Sequence, residues 1–292
     1  LVRSVRDSYL FHEHLEDVNS PEYFHQFVSA AAHHGLRYLG EAEFSTMVTA
    51  RFGTAIAATL DRISPDIVRA EQYMDFLRNR FFRQTLLCHA ALRPDREVTP
   101  DGIQYLLVAS PARPVPGGSG ESAYETPGGR RLTTAFPATR AVLDALAEAW
   151  PGAVDQATLY RLARERLSAS DEEMADAWPT VQQDILHCYS ADVVELRTWQ
   201  AECAAVPGER PRMSGLARRL AELGPLVTNQ RHEPVSLSPS ERSLARLLDG
   251  SHDRQQLLTA LTAMGSATDQ AVDAATLEKL LTSLAQRALL EG

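Results

Sequence analysis

The sequence predicts a mainly α-helical protein with a small β component, and two observations support this. Apolar residues recur at three- and four-residue spacing over much of the chain, which is the period of an amphipathic helix. Strand-like runs are short and few. A length of 292 residues corresponds to two or three domains. We expect domains at residues 1–110, 130–205 and 206–292, with a Pro/Gly-rich loop or linker at 111–129.

The first domain is predicted to be helical from its start, residues 4–16. Ser20 and Pro21 are the predicted N-cap and first residue of the next helix, because these residue types favour helix starts. Gly35 should end that helix, since glycine tolerates the positive φ of a C′ residue. Residues 36–44 are then predicted as a short strand or extended segment.

A further helix is predicted from the start signal at residues 63–66 to about Cys88, because no Gly or Pro lies inside it. Asp75 lies three residues before Arg78 on this helix, so the two side chains can pair. Arg80 and Arg83 share a face of the same helix and favour a nearby carboxylate. We therefore interpret these four residues as ion pairs that hold helices together.

The second domain has the predicted order strand, three helices, strand, which is the order of a winged helix. Ser170 is the predicted cap of the third helix, and Pro179 could kink or split it. The third domain repeats this order more weakly from Ser238, so we expect a helical, winged-helix-like module there. The predicted strands are 103–109, 130–135 and 193–199, and the predicted helices are 138–150, 156–167, 171–188, 239–248, 254–264 and 274–290.

Charge and cysteine content narrow the class of protein. There are 29 basic and 38 acidic residues, a net charge of −9, and neither half of the chain is basic. Nucleic-acid binders usually carry a clustered basic footprint, so this balance argues against that class. The three cysteines are widely spaced, which argues against a disulfide framework and a thiolate zinc site. With no signal peptide and no apolar run long enough to cross a membrane, we expect a soluble, cytoplasmic protein.

Two motifs invite a ligand-binding interpretation, and neither meets the spacing that the chemistry needs. His12 and His14 would point about 200° apart on a helix, so together with Glu16 they do not form a metal site. The glycine-rich residues 116–120 lack the strand before and the helix after that a nucleotide loop requires, so we interpret them as a flexible loop. We assign no catalytic, cofactor-binding or metal-binding residue to this chain.

Aromatic residues are dense in the first domain. A helical core is the default explanation, but polar aromatic side chains such as Tyr9 and Tyr23 could also line a partner surface. The sequence leaves both alternatives open. The residues concerned are Tyr9, Phe11, Tyr23, Phe24, Phe27, Tyr38, Phe44, Tyr73, Phe76, Phe81 and Phe82.

Four blocks in the first domain resemble the predicted methyltransferase regulatory domain of bacteria. They are residues 7–16 (DSYLFHEHLE), Pro21 with 23–25 (YFH), 34–42 (HGLRYLGEA) and 75–84 (DFLRNRFFRQ). The rest of the chain is more loosely similar to the C-terminal region of rickettsial-type protein-lysine methyltransferases. We expect the signature residues to build the fold rather than to contact a ligand. These are Tyr9, His12, Glu13, Gly35, Gly40, Asp75, Phe81 and Arg83.

The resemblance implies that an S-adenosylmethionine-dependent domain precedes this region in the parent enzyme. The sequence has no acidic-x-Gly-x-Gly turn and opens with Leu1, so we expect a non-catalytic piece of a longer protein that does not itself hold the cofactor. The implied function is regulation or substrate recruitment. The expected partners are the parent's own N-terminal methyltransferase domain and a protein substrate, without membrane or nucleic acid.

The alternative is a winged-helix transcriptional regulator that binds DNA. Its recognition helix would be residues 171–188, which carry five acidic residues and no Arg or Lys. DNA phosphates would repel such a helix, so we rank this function second.

Overall fold

The computed structural model describes residues 9–116, 122–265 and 273–292. The chain divides into two compact units, Leu1–Arg96 (unit 1) and Glu97–Gly292 (unit 2). Both consist mainly of helices with small antiparallel sheets, so the predicted fold class is confirmed. Among the described residues, no helix combines the length and apolar character that crossing a membrane requires.

Unit 1 places three helices beside a two-stranded sheet. A π-helical turn at Leu10–His14 precedes the first α-helix, and two 3-10 turns, Phe44–Met47 and Thr49–Phe52, precede the second. The sheet pairs its strands antiparallel. In chain order the regular elements are α1 (Phe24–His33), β1 (Leu36–Glu41), α2 (Thr54–Ile63), α3 (Ile67–Arg78) and β2 (Thr85–His89).

Local capping chemistry explains where the helices of unit 1 start and end. The prediction of Ser20 and Pro21 as the start of α1 is wrong, because the Gln26 side chain accepts from the Tyr23 backbone N–H at 3.0 Å and the helix starts after Tyr23. Gly35, with φ of 71°, follows the helix as predicted. Asp66 caps α3 by accepting from the Arg69 N–H.

The helix predicted to reach Cys88 ends ten residues earlier, at Arg78. Asn79 adopts the left-handed conformation, with φ of 50° and ψ of 47°, which stops the helix and turns the chain. The apolar run that follows becomes β2 instead, because it pairs with β1 from Leu36↔His89 to Glu41↔Thr85. A short apolar run fits a strand as well as a helix, and here the distant partner decides.

The first core of unit 2 is built on four helices. Its first four strands are β3 (Leu107–Ala109), β4 (Arg113–Val115), β5 (Ser122–Glu125) and β6 (Arg131–Thr134), and β7 (Glu195–Arg197) pairs with β3. The helices are α4 (Pro100–Ile103), α5 (Pro137–Ala149), α6 (Gln156–Leu167) and α7 (Asp171–Ser190). The predicted cap Ser170 is confirmed, and α7 continues through Pro179 without a break.

The prediction of residues 111–129 as a loop or linker is wrong where the structure describes them. Strands β4 and β5 lie in this segment and form a three-stranded sheet with β6. Burial of Tyr124 supplies the driving force, because its ring is in the core while its hydroxyl donates to Asp144 at 2.8 Å. The glycine-rich residues 117–120 lie outside the described residues.

The second core of unit 2 contains four more helices and a hairpin. Ser238 caps α9 with a capping box that includes Glu241, as its sequence predicts. The first helix and the hairpin were not predicted, although Ser214 is a typical N-cap residue and accepts from the Ala217 N–H. The elements are α8 (Gly215–Leu223), β8 (Leu226–Thr228), β9 (Pro234–Ser236), α9 (Pro239–Ala245), α10 (Arg254–Gly265) and α11 (Ala274–Gln286). The predicted division of this unit at residues 205 and 206 stays a prediction.

Arg231 connects the two cores of unit 2. Its side chain is 1% exposed and forms ion pairs with Glu195 and Glu233. It also donates to the Pro151 carbonyl at 3.0 Å and lies over the Trp150 ring, 4.2 Å from the centroid. One buried cation therefore binds groups from both sides of the boundary between the cores.

We expect Arg231→Ala to destabilise unit 2 by about 2 kcal/mol, because it removes a buried cation shared by the partly exposed Glu195 and Glu233 and leaves the Pro151 carbonyl without its donor. All three tryptophans lie in unit 2, so urea unfolding followed by tryptophan fluorescence measures this unit. Arg219→Ala is the matched control: Arg219 pairs with Glu222 on the surface, and its loss should cost less than about 0.5 kcal/mol. Equal midpoints for the two variants would contradict the role of Arg231.

Candidate functional site

A buried cluster of charged residues lies at the centre of unit 1. The guanidinium of Arg83 contacts three carboxylates, those of Glu41, Glu71 and Asp75. With Asp75 the contact is bidentate: Nε lies 3.0 Å from Oδ2 and Nη2 lies 2.9 Å from Oδ1. Arg80 completes this ion cluster at longer range, with Nη1 3.8 Å from Glu41. The five side chains join β1, α3 and the segment after α3.

Neutral groups bind the remaining faces of the ion cluster. The Phe24 ring of α1 lies under Arg83, 3.7 Å from its Cζ, and contacts the Tyr38 ring edge-on at 5.0 Å. Thr85 donates to Glu41 at 3.0 Å. The cluster therefore reaches every regular element of unit 1 except α2.

The electrostatics of the ion cluster are those of a structural network. Burial raises the pKa of Glu71, and the adjacent Arg83 only partly offsets that effect. Burial lowers the pKa of Arg83, whereas Asp75, Glu41 and Glu71 raise it, and the net direction is upward. Three carboxylates face two guanidinium groups, and each carboxylate is within ion-pair distance of Arg83. None of them is positioned as an unpaired base.

A β-bulge brings Glu41 into the ion cluster. The register of β1 shifts between Tyr38 and Gly40, which adds a residue and reverses the alternation of side chains. Tyr38 and Glu41, three residues apart, consequently share the inner face, where their side chains are 3.4 Å apart. Gly40 permits this close packing, because a Cβ there would lie 3.3 Å from Sδ of Met47.

An open groove with aromatic walls lies beside the ion cluster. Its volume is about 1010 Å³, and Asp75, Arg80, Arg83 and Thr85 contribute to its lining. Most of the aromatic side chains along it are exposed, with Phe81 at 95% and Phe82 at 67%, whereas Phe24 is buried. We call this the aromatic groove, and its aromatic residues are Tyr23, Phe24, Phe27, Phe81 and Phe82.

The aromatic residues of unit 1 divide between its core and its surface, and a partner role for the exposed ones stays a prediction. Phe24 and Tyr38 are core, at 3% exposure each. Tyr23, Phe76, Phe81 and Phe82 are exposed. Tyr23 and Phe76 contact each other edge-on at 5.9 Å on the surface.

The residues considered as metal ligands are not brought together. His12 Nδ1 lies 3.1 Å from Glu16 Oε1 on the surface, and the side chains of Glu13 and His14 lie outside the described residues. His33 contacts the Ser29 carbonyl at the end of α1. In residues 9–116, 122–265 and 273–292, no group of three or more His, Cys, Asp or Glu side chains could hold a metal ion.

The interpretation of residues 75–83 as ion pairs holds for Asp75, Arg80 and Arg83 and is wrong for Arg78. The Arg78 guanidinium donates to the Thr46 carbonyl and lies over the Phe52 ring, because α3 directs it away from the ion cluster. Sequence reasoning missed Glu41 and Glu71. The signal for Glu71 was its position one turn before Asp75 on α3, which places both on one helix face.

Family models match both ends of the chain. Residues 6–89 match the predicted methyltransferase regulatory domain. Unit 1 is therefore similar to that regulatory domain over most of its length. Residues 209–289 match the C-terminal winged helix domain of PKMT, so the winged helix lies in the second core of unit 2. The expectation of a winged helix at 130–205 stays a prediction.

Relatives extend the likeness over most of the chain. The uncharacterized protein RP789 of Rickettsia prowazekii is 29% identical over 275 residues, which is 89% of this chain and 49% of that protein. The structure of PKMT2 from Rickettsia typhi has a TM-score of 0.86 at 23% identity, and its complex with AdoHcy has 0.84 at 24%. Both matches cover 100% of this chain and 62% of the PKMT2 chain, and at this identity they show a shared fold.

We expect Arg83→Met to destabilise unit 1 by about 3–5 kcal/mol, because it leaves three buried carboxylates without their shared cation. Arg83→Lys should recover little, since an ammonium cannot bridge several carboxylates as the planar guanidinium does. Unit 1 has no tryptophan, so hydrogen exchange of the α3 and β2 amides is the measurement. The exposed Arg62→Ala is the control, and an Arg83→Lys variant with wild-type protection would contradict this role.

The raised pKa of Glu71 predicts the sign of a pH effect. A carboxyl group with a raised folded-state pKa stabilises the fold below its usual value of 4.5, and that contribution is lost as the pH rises through the folded pKa. Glutamine does not ionise, so the Glu71→Gln variant does not lose this stability as the pH rises. Its stability relative to wild type should therefore increase with pH above about 4.5. Hydrogen exchange of both proteins at each pH checks this, and a relative stability that decreases with pH would contradict it.

Proposed function

We propose that this chain is the regulatory and substrate-recruiting portion of a bacterial, cytoplasmic, S-adenosylmethionine-dependent methyltransferase that acts on protein lysines. In this proposal the chain itself is non-catalytic. It binds the methyltransferase domain of the parent enzyme and a protein substrate. The observation that carries the proposal is the regulatory-domain match at one end and the PKMT winged-helix match at the other.

The similar proteins support this assignment. One solved PKMT2 structure contains AdoHcy, and this chain has the fold of 62% of that protein. The chain also spans about half of the curated relative that it matches. A cofactor-binding domain in the longer relatives outside the matched part fits these lengths, and the present sequence carries no acidic-x-Gly-x-Gly turn.

The geometry of unit 1 favours binding over chemistry. The buried carboxylates already share Arg83, so they lack the unpaired base or nucleophile that catalysis would need. In contrast, Phe81 and Phe82 expose large apolar surfaces beside a groove. Exposed aromatic side chains of this kind are typical of protein interaction sites.

DNA binding is the weaker alternative. Helix α7 begins with three consecutive acidic residues, Asp171, Glu172 and Glu173, and Arg and Lys are absent from its sequence. Phosphate contacts supply most of the affinity of DNA-binding proteins. An acidic α7 therefore favours a protein partner for the first core. The matched winged helix, residues 209–289, has ten basic and nine acidic residues, so it lacks the positive excess that DNA binding favours as well.

Calorimetric titration of this chain with S-adenosylmethionine and S-adenosylhomocysteine tests the non-catalytic assignment. We expect no binding at micromolar concentration, because the proposal places the cofactor in another domain. Full-length Rickettsia typhi PKMT2 is the positive control. A micromolar dissociation constant for this chain would contradict the assignment.

Addition in trans tests the regulatory role. The part of PKMT2 that this chain does not match is expressed alone, and methyl transfer to a lysine-containing protein is measured with and without this chain. We expect at least a several-fold change in kcat/KM for the protein substrate. An unchanged rate together with no detectable complex would refute the proposed function.

A further inference from the structure

The two edges of the unit 1 sheet differ. The outer edge of β1 is closed, because Arg96 donates to the Tyr38 carbonyl at 2.6 Å and to the Leu39 carbonyl at 2.9 Å. A guanidinium on an edge blocks the addition of another strand there. Only the edge formed by β2 can accept one.

The register shows which backbone groups of β2 point outward. Ala90 N–H donates to the Gly35 carbonyl and Ala42 N–H donates to the Gln84 carbonyl, so the pairs Leu36↔His89 and Glu41↔Thr85 are non-hydrogen-bonded. Hydrogen-bonded and non-hydrogen-bonded pairs alternate between these two, so the backbone N–H and C=O groups of Leu86 and Cys88 point toward β1. The backbone groups of Thr85, Leu87 and His89 consequently face away from it.

These outward groups have no hydrogen-bond partner in the described part of the chain, apart from the His89 carbonyl, which accepts from Leu92 N–H. The unpaired groups are therefore both backbone groups of Thr85 and Leu87 and the N–H of His89. They recur at every second residue, which is the spacing at which an added strand donates and accepts.

The side chains beside this edge indicate what kind of strand would bind. Thr85 also lines the aromatic groove, so inward-facing side chains of an added strand would enter the groove next to Phe82 and Phe27. On the opposite face, Leu86 is 46% exposed. Both faces of an added strand would thus meet apolar surface, which favours apolar side chains.

Charge restricts the strand further. Residues 76–94 contain four arginines and no acidic residue, and the exposed Arg93 follows the His89 end of β2. A lysine- or arginine-rich segment would find no exposed acidic partner from this stretch, whereas an acidic residue near its end could pair with Arg93. The exposed Glu22 also lines the aromatic groove, so the acidic residue belongs at the Arg93 end of the strand and the side chains that enter the groove should be apolar.

We propose that the outer edge of β2 binds an extended, neutral or acidic segment of a protein partner, with apolar side chains that enter the aromatic groove. The segment adds a third strand to the β1–β2 sheet through Thr85, Leu87 and His89. This inference deepens the proposed recruiting function and rests on it. The inference concerns peptide binding alone. Its test can therefore fail while regulation in trans is observed, and it can succeed while regulation in trans is not.

The test uses the full chain and a library of random twelve-residue peptides displayed on phage. We expect selected peptides to be rich in apolar residues and poor in Lys and Arg. A selected synthetic peptide should slow hydrogen exchange at the amides of Thr85, Leu87 and His89. Protection at these alternate positions identifies strand addition, since the amides of Leu86 and Cys88 already pair with β1.

Proline variants identify the edge. His89→Pro and Leu87→Pro each remove an outward N–H without removing a β1–β2 hydrogen bond, and each should weaken the peptide by about tenfold or more. The side chain of His89 is exposed, so His89→Pro remains informative if Leu87→Pro fails to fold. The control is Leu39→Thr, which replaces an exposed apolar residue on β1 and should leave affinity unchanged.

Three results would overturn the proposal. They are no enriched peptide, a bound peptide that leaves the three outward amides unprotected, or unchanged affinity in His89→Pro. Protection that increases with protein concentration in the absence of peptide would instead identify a second copy of the chain as the occupant of the edge.

Discussion

The fold of unit 1 depends on the contacts of one residue, Arg83. A buried guanidinium needs several acceptors at once, and three carboxylates from β1 and α3 meet that need while Phe24 of α1 covers its face. The turn at Asn79 makes this geometry possible, because it ends α3 and returns the chain so that Arg80 N–H donates to the Asp75 carbonyl at 2.9 Å. Helix end, strand pairing and ion cluster are thus one connected arrangement.

The bulge in β1 has consequences on both sides of the sheet. On the inner face it aligns Tyr38 with Glu41, which supplies one carboxylate of the ion cluster. At the outer edge it leaves the carbonyls of Tyr38 and Leu39 within reach of Arg96. The same irregularity therefore helps to build the core and to close one edge, and the edge at β2 stays open.

The sequence predicted what local chemistry determines. Caps at Ser170 and Ser238 and the C′ glycine at Gly35 were correct, because each depends on neighbours within a few residues. The start predicted at Ser20 and Pro21 was wrong, because the Gln26 side chain caps the helix at Tyr23 instead. Strand β2 was missed because its partner lies more than forty residues away. The candidate site was predicted only in part, because some of its residues are distant in sequence. Asp75, Arg80 and Arg83 were recognised as ion pairs, whereas Glu41 joins them through a bulge in β1 that no local pattern reveals.

Arginine outnumbers lysine 28 to 1 in this chain, since Lys279 is its single lysine. At most surface positions either cation would serve, because exposed pairs such as Arg161–Glu165 contribute little. Arg83 and Arg231 differ from these. Each combines buried carboxylate or carbonyl acceptors with an aromatic ring under the guanidinium plane, and a lysine ammonium offers neither the fork nor the flat face. The fold therefore requires arginine rather than lysine at one position in each unit, Arg83 in unit 1 and Arg231 in unit 2.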